Sequence, residues 1–128
     1  MTTIGNERLK TLAAFLESFD ATKGAKDEFN MGVWYEQYER GTPGCGTAAC
    51  ALGWATTIPA FRDAGLYRDE CGDPTFGFAC GLGAGANFFG LTAEQSSHLF
   101  WPYSYGKNDD KSPRGVAARI RELLGAKA

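Results

Sequence analysis

Residues 44–61, GCGTAACALGWATTIPAF, contain no charged side chain; the first to follow is Arg62. Small or apolar residues lie all round any helix built from this stretch, and such a helix must be enclosed by the rest of the fold. Thr47 is a residue type that accepts the orphan N–H bonds of a first turn. Pro59 pushes the residue before it out of the helical region, which sets a stop at Ile58. The stretch therefore predicts a buried central helix over 47–58, and the fold is read outward from it.

Upstream, NERLKTLAAFLESF places Leu9, Leu12, Ala13, Leu16 and Phe19 three and four residues apart, the spacing of an amphipathic helix, with Asn6 as its expected cap. Residues 29–38 hold Phe29, Met31, Trp34, Tyr35 and Tyr38. Their spacing suits a helix, while Gly32 and the aromatic content suit a strand, so both assignments stay open. Downstream, 61–66 reads as a short helical turn and YRDECGDP (67–74) as a solvated loop. Thr92 with Gln95 makes a capping box that opens a helix through His98, Leu99 and Phe100, ended by Pro102. Ser112-Pro113 starts a last helix with the stripe Val116, Ile120, Leu123, Leu124 and an end near Gly125.

The fold class expected is mainly α: one domain over 1–128, a bundle of about five short helices around the 47–58 helix, with a minor β-hairpin as an allowed addition. Glycine makes up 17 of 128 residues, about twice ordinary usage, and predicts long Gly-rich connections and close backbone contacts.

Hydrophobic residues at 44% and charged residues at 22% match ordinary globular proteins and exclude a disordered chain. Net charge is −2, unevenly spread. Residues 1–106 hold 7 basic and 12 acidic side chains, a balance of −5, and residues 107–128 hold 6 and 3, a balance of +3. The first part disfavours a nucleic-acid partner, and the arginines of the last helix are read as solvated surface. Charges interrupt the apolar residues near Leu9, so no secretory leader is expected. Proline and glycine break the uncharged runs 41–61 and 74–93 before either reaches spanning length, so no membrane partner is expected. These features place the chain in a reducing cytoplasm, with its cysteines as thiols or metal ligands.

Four constellations invite chemistry. Cys45, Cys50, Cys71 and Cys80 form the only set of zinc-ligand candidates beside His98, but only the first pair has the tight spacing of a tetrahedral thiolate site. No cofactor is expected, zinc being the alternative. Cys50, in the first turn of a helix capped by Thr47, is placed for a lowered thiol pKa. A nucleophile also needs a base, and the single histidine, His98, is 48 residues away. Burial among alanines is the plainer expectation for Cys50, and no catalytic residue is assigned. GLGAGA (81–86) matches a loose dinucleotide pattern without the second strand and acidic residue that such a site needs, so its glycines are read as packing or turn residues. FWPYSYG (100–106) sets Trp101, Tyr103 and Tyr105 beside a proline. Large aromatic residues on a stiff loop bring contact area at low entropic cost, which makes these three the candidate interaction residues.

The motif residues Cys45, Gly46, Thr47, Cys50, Gly53 and Trp54, together with Phe29, Met31, Trp34, Leu91, Leu99 and Phe100, resemble a group of small bacterial and phage proteins that carry CGTxxCxxG followed by Trp or His. Asn30, Phe89, the YEQYERGTPG insertion and the loop with Cys71 and Cys80 depart from that pattern. The resemblance implies a bacterial or phage cytoplasm and no activity. The function expected is a non-catalytic protein-binding modulator, acting for instance on a host defence factor. The alternative is a small zinc- or thiol-dependent enzyme centred on Cys45 and Cys50.

Overall fold

The computed structural model describes residues 3–19, 28–29, 36–37, 47–70, 73–106, 108–110 and 112–126, with the backbone alone at 28–29, 36–37, 47–49 and 126. Along the chain run α1 (Thr3–Glu17), β1 (Glu28–Phe29), β2 (Glu36–Gln37), β3 (Thr47–Ala49), α2 (Ala51–Ala55), α3 (Pro59–Asp63), β4 (Tyr67–Arg68), β5 (Pro74–Phe76), β6 (Ala79–Cys80), α4 (Leu82–Phe89), α5 (Ala93–Phe100), a 3₁₀ turn (Pro102–Ser104) and α6 (Pro113–Ala126). The fold is mainly helical, as the apolar periodicity implies.

The buried middle of the chain is where expected, but its helix is shorter. Ala51, Leu52, Gly53, Trp54 and Ala55 are all buried, whereas Thr47–Ala49 is a strand. That strand lies between β1, which runs parallel to it, and β2, which runs antiparallel. Thr47 is thus no helix cap. Cys50, extended at φ −79° and ψ −179°, takes that place, its Sγ accepting from the Gly53 N–H at 3.4 Å. Backbone groups of 47–49 find partners on both sides, and paired backbone outweighs the local capping preference of one threonine. The segment 29–38 contributes Phe29 to β1 and Glu36–Gln37 to β2, which resolves those positions as strand; Met31, Trp34, Tyr35 and Tyr38 lie outside the described residues. The helix stops before Ile58 as expected, and Pro59 opens α3 as its first residue, where a missing N–H costs nothing.

Helix α1 begins at Thr3, so Asn6 lies inside it and not at its cap. Its buried stripe is Leu9, Leu12, Ala13 and Leu16, each no more than 1% exposed. Val116, Ala117 and Ile120 of α6 join the same core cluster, with Leu123 and Leu124 partly buried against it. Each fully buried leucine, isoleucine or valine among them, removed from water, contributes about 1.5–3 kcal/mol. Phe61, Phe88, Phe89 and Phe100 extend this core, three of their ring pairs edge to face at 5.0–5.7 Å. Arg8 of α1 closes the side of α4, donating to the Phe88 carbonyl at 2.9 Å with its guanidinium 4.1 Å from the Phe88 ring centroid.

Residues 67–74 are not wholly loop. Tyr67 and Arg68 pair with Thr75 and Pro74, so β4, β5 and β6 form a small antiparallel sheet that contains the hairpin. Gly77, at φ +63°, makes its turn. The GLGAGA run enters α4 directly. Gly81 starts it at φ +59°, and Gly85 lets α5 approach so closely that a β-carbon there would stand 3.0 Å from Ser96 Oγ and 3.1 Å from the Phe100 ring. Gly85 thus serves helix packing and Gly81 the turn into α4.

Candidate interaction surface

The expected capping box is complete. Thr92 Oγ1 accepts from the Gln95 N–H at 3.1 Å and Gln95 Oε1 accepts from the Thr92 N–H at 3.0 Å, which sets the start and direction of α5. Pro102 then forces the chain into the 3₁₀ turn. Ser104 Oγ holds that turn against the end of the helix, donating to the carbonyls of Trp101 at 2.7 Å and His98 at 3.1 Å.

From the last helix, Arg119 clasps the same corner. Its Nη1 donates to the carbonyls of His98 at 2.8 Å and Ser104 at 3.2 Å, and stands 3.3 Å from His98 Nδ1. Nη2 pairs with Asp109 at 3.1 Å, and the guanidinium lies 3.6 Å from the centroid of the Tyr105 ring. Asp109 in turn accepts from the Gly106 N–H at 2.6 Å. A planar group with five donors suits this role better than an ammonium, because it bonds several carbonyls and stacks on a ring at once. The sequence suggested solvated surface for this arginine. Its spacing on α6 carries no sign of the distant carbonyls that it meets.

The three aromatic candidates divide. Trp101 is 47% exposed and Tyr103 83% exposed, their rings 5.8 Å apart and nearly perpendicular. Tyr105 is 5% exposed and points inward, its hydroxyl donating to the Leu99 carbonyl at 2.7 Å. Burial pushes its pKa up to about 12, against a lowering by the Arg119 charge. This removes Tyr105 from the contact set: an aromatic ring under a guanidinium, with its hydroxyl satisfied by backbone, is an anchor of the corner. Beside Trp101 lies a groove of about 390 Å³, lined by Ala93, Glu94, Ser97, His98, Trp101 and Ser104. Phe78, at the hairpin tip, is a further fully exposed aromatic residue, outside the FWPYSYG segment. Its alternation with Phe76 across Gly77 was the available sign in the sequence.

At the candidate cysteine site, Cys50 lies in the buried core. That thiol is 1% exposed, and burial raises its pKa to about 11 despite the helix N–H groups that favour the thiolate. His98 is exposed on α5 and engaged by Arg119, so the two make no nucleophile–base pair. Cys80 is exposed on β6, while Cys45, Gly46 and Cys71 lie outside the described residues. Among the described residues no three His, Cys, Asp or Glu side chains converge as metal ligands, and no helix is long and apolar enough to cross a membrane. Arg121 of the basic last helix pairs with Glu17 of α1 at 2.9 Å.

Comparison of the chain with models of protein families, with curated proteins and with solved structures found no match.

Proposed function

We propose that this chain is a non-catalytic protein-binding module that works in a bacterial or phage-infected cytoplasm and modulates the protein it binds. Its contact surface is the corner bearing Trp101 and Tyr103. One observation carries the reading: two large aromatic side chains stand exposed on a turn whose backbone is held by Ser104, Tyr105 and Arg119. Side chains presented on a rigid support lose little freedom on binding, so more of the contact energy becomes affinity. Trp and Tyr are also the residues that most often dominate interfaces. The pairing of Arg119 and Arg121 with carboxylates supports a protein partner over a nucleic acid, since both charges are already partly compensated.

Affinity capture from bacterial lysate, read by quantitative mass spectrometry, tests this. Wild type and a Phe78→Ser variant should retain the same partner, and the double variant Trp101→Ala, Tyr103→Ala should lose most of it. Equal recovery by all three proteins, or recovery by none, overturns the proposal.

A further inference from the structure

We infer that the groove beside Trp101 receives a cationic side chain, a lysine or arginine, from a basic segment of the partner protein. This deepens the protein-binding reading and rests on it. The groove's single permanently charged lining residue is Glu94. Its carboxylate is exposed and has no ion pair among the described residues. The neighbouring cation, Arg119, is committed to the His98 and Ser104 carbonyls and to Asp109, so Glu94 is left as the unbalanced charge of the groove.

Trp101 supplies the second half of the recognition. An indole is the strongest of the aromatic partners for a cation, and Tyr103, nearly perpendicular at 5.8 Å, braces it. Ser104 spends its proton on the His98 and Trp101 carbonyls, which leaves its oxygen as an acceptor for an incoming N–H. Other occupants fit worse. An apolar side chain would strip water from Glu94 without replacing it, and an anionic one would be repelled. A volume of about 390 Å³ is ample for one long side chain and its neighbours.

The test titrates the full chain with three acetylated, amidated heptapeptides that differ only in the central residue: arginine, lysine or norleucine. The readout is the Trp101 indole N–H resonance, assigned by its loss in Trp101→Phe, together with the amides of 93–98. The basic peptides should shift these signals saturably and bind about three- to tenfold more tightly than the norleucine peptide. Added salt should narrow that margin. Glu94→Gln should abolish the preference, while Glu122→Gln, the same charge change at an exposed position of α6, should leave it intact. Equal binding of the norleucine peptide overturns the cation preference and leaves the docking corner standing. Shifts that are absent for all three peptides, or insensitive to Glu94→Gln, overturn the groove as the site. Failure of the broader reading shows separately, as capture from lysate that ignores Trp101 and Tyr103.

Discussion

Replacing Arg119 by methionine keeps the aliphatic stem and removes the guanidinium, and the loss follows from four contacts. Two charged donors to the His98 and Ser104 carbonyls are worth about 1 kcal/mol each net in a partly exposed setting. The stacking on Tyr105 adds about 0.5–1 kcal/mol. The pair with Asp109, whose side chain is half exposed, adds from about 0 to 1 kcal/mol. His98 keeps the Ser104 hydroxyl as a partner, and methionine recovers some packing, so we expect a loss of about 2–3 kcal/mol. At about 4 °C per kcal/mol for a domain of this size, Tm falls by about 8–12 °C in thermal unfolding followed by circular dichroism. Arg119→Lys should recover less than half of this, because an ammonium lacks the planar fork. The loss should also reach the surface: amide protons of Tyr105 and Gly106 should exchange faster, and partner capture should weaken although no exposed aromatic residue has changed. A Tm within about 2 °C of wild type, with unchanged exchange, would show that the corner is held by its own turn and that the clasp is incidental.

Gly115→Ala should destabilise more than an ordinary glycine replacement in a helix, because a β-carbon there overlaps the Asp110 backbone carbonyl next to the Ser112 cap; Gly85→Ala, against the buried Phe100 ring, should cost about 1–3 kcal/mol, and a rise in Tm for either refutes the close approach. Stability should decline between about pH 9 and 12. Cys50 and Tyr105 have native pKa values raised from 9.0 and 10.0 to about 11 and 12, so both hold protons that the unfolded chain releases, and stability present below pH 9 is lost through that window. Tyr105→Phe should flatten the upper part of the decline; an unchanged slope argues against the inward phenol. Maleimide labelling of the native protein at pH 8, mapped by peptide mass spectrometry, should modify Cys80 within minutes and Cys50 only on unfolding; rapid labelling of Cys50 would reopen the thiol chemistry.

Some of this structure was written in local chemistry. Stripes at three- and four-residue spacing, the Thr92–Gln95 box, and the Ser112-Pro113 start appear where the sequence places them, because each involves residues within one or two helical turns. The enclosed character of Ala51–Ala55 was equally legible, since an element without charge has no other place to go. What only the tertiary structure decided involves partners far along the chain. Thr47–Ala49 became a strand because 28–29 and 36–37 lie on either side of it, and Cys50 inherited the cap. Tyr105 turned inward and Arg119 became its clasp because the fold brings α6 against the end of α5. A guanidinium that sequence spacing leaves to solvent is there offered two carbonyls, a carboxylate and a ring. Spacing within a helix says which face is apolar; which polar groups meet across helices depends on how those faces dock.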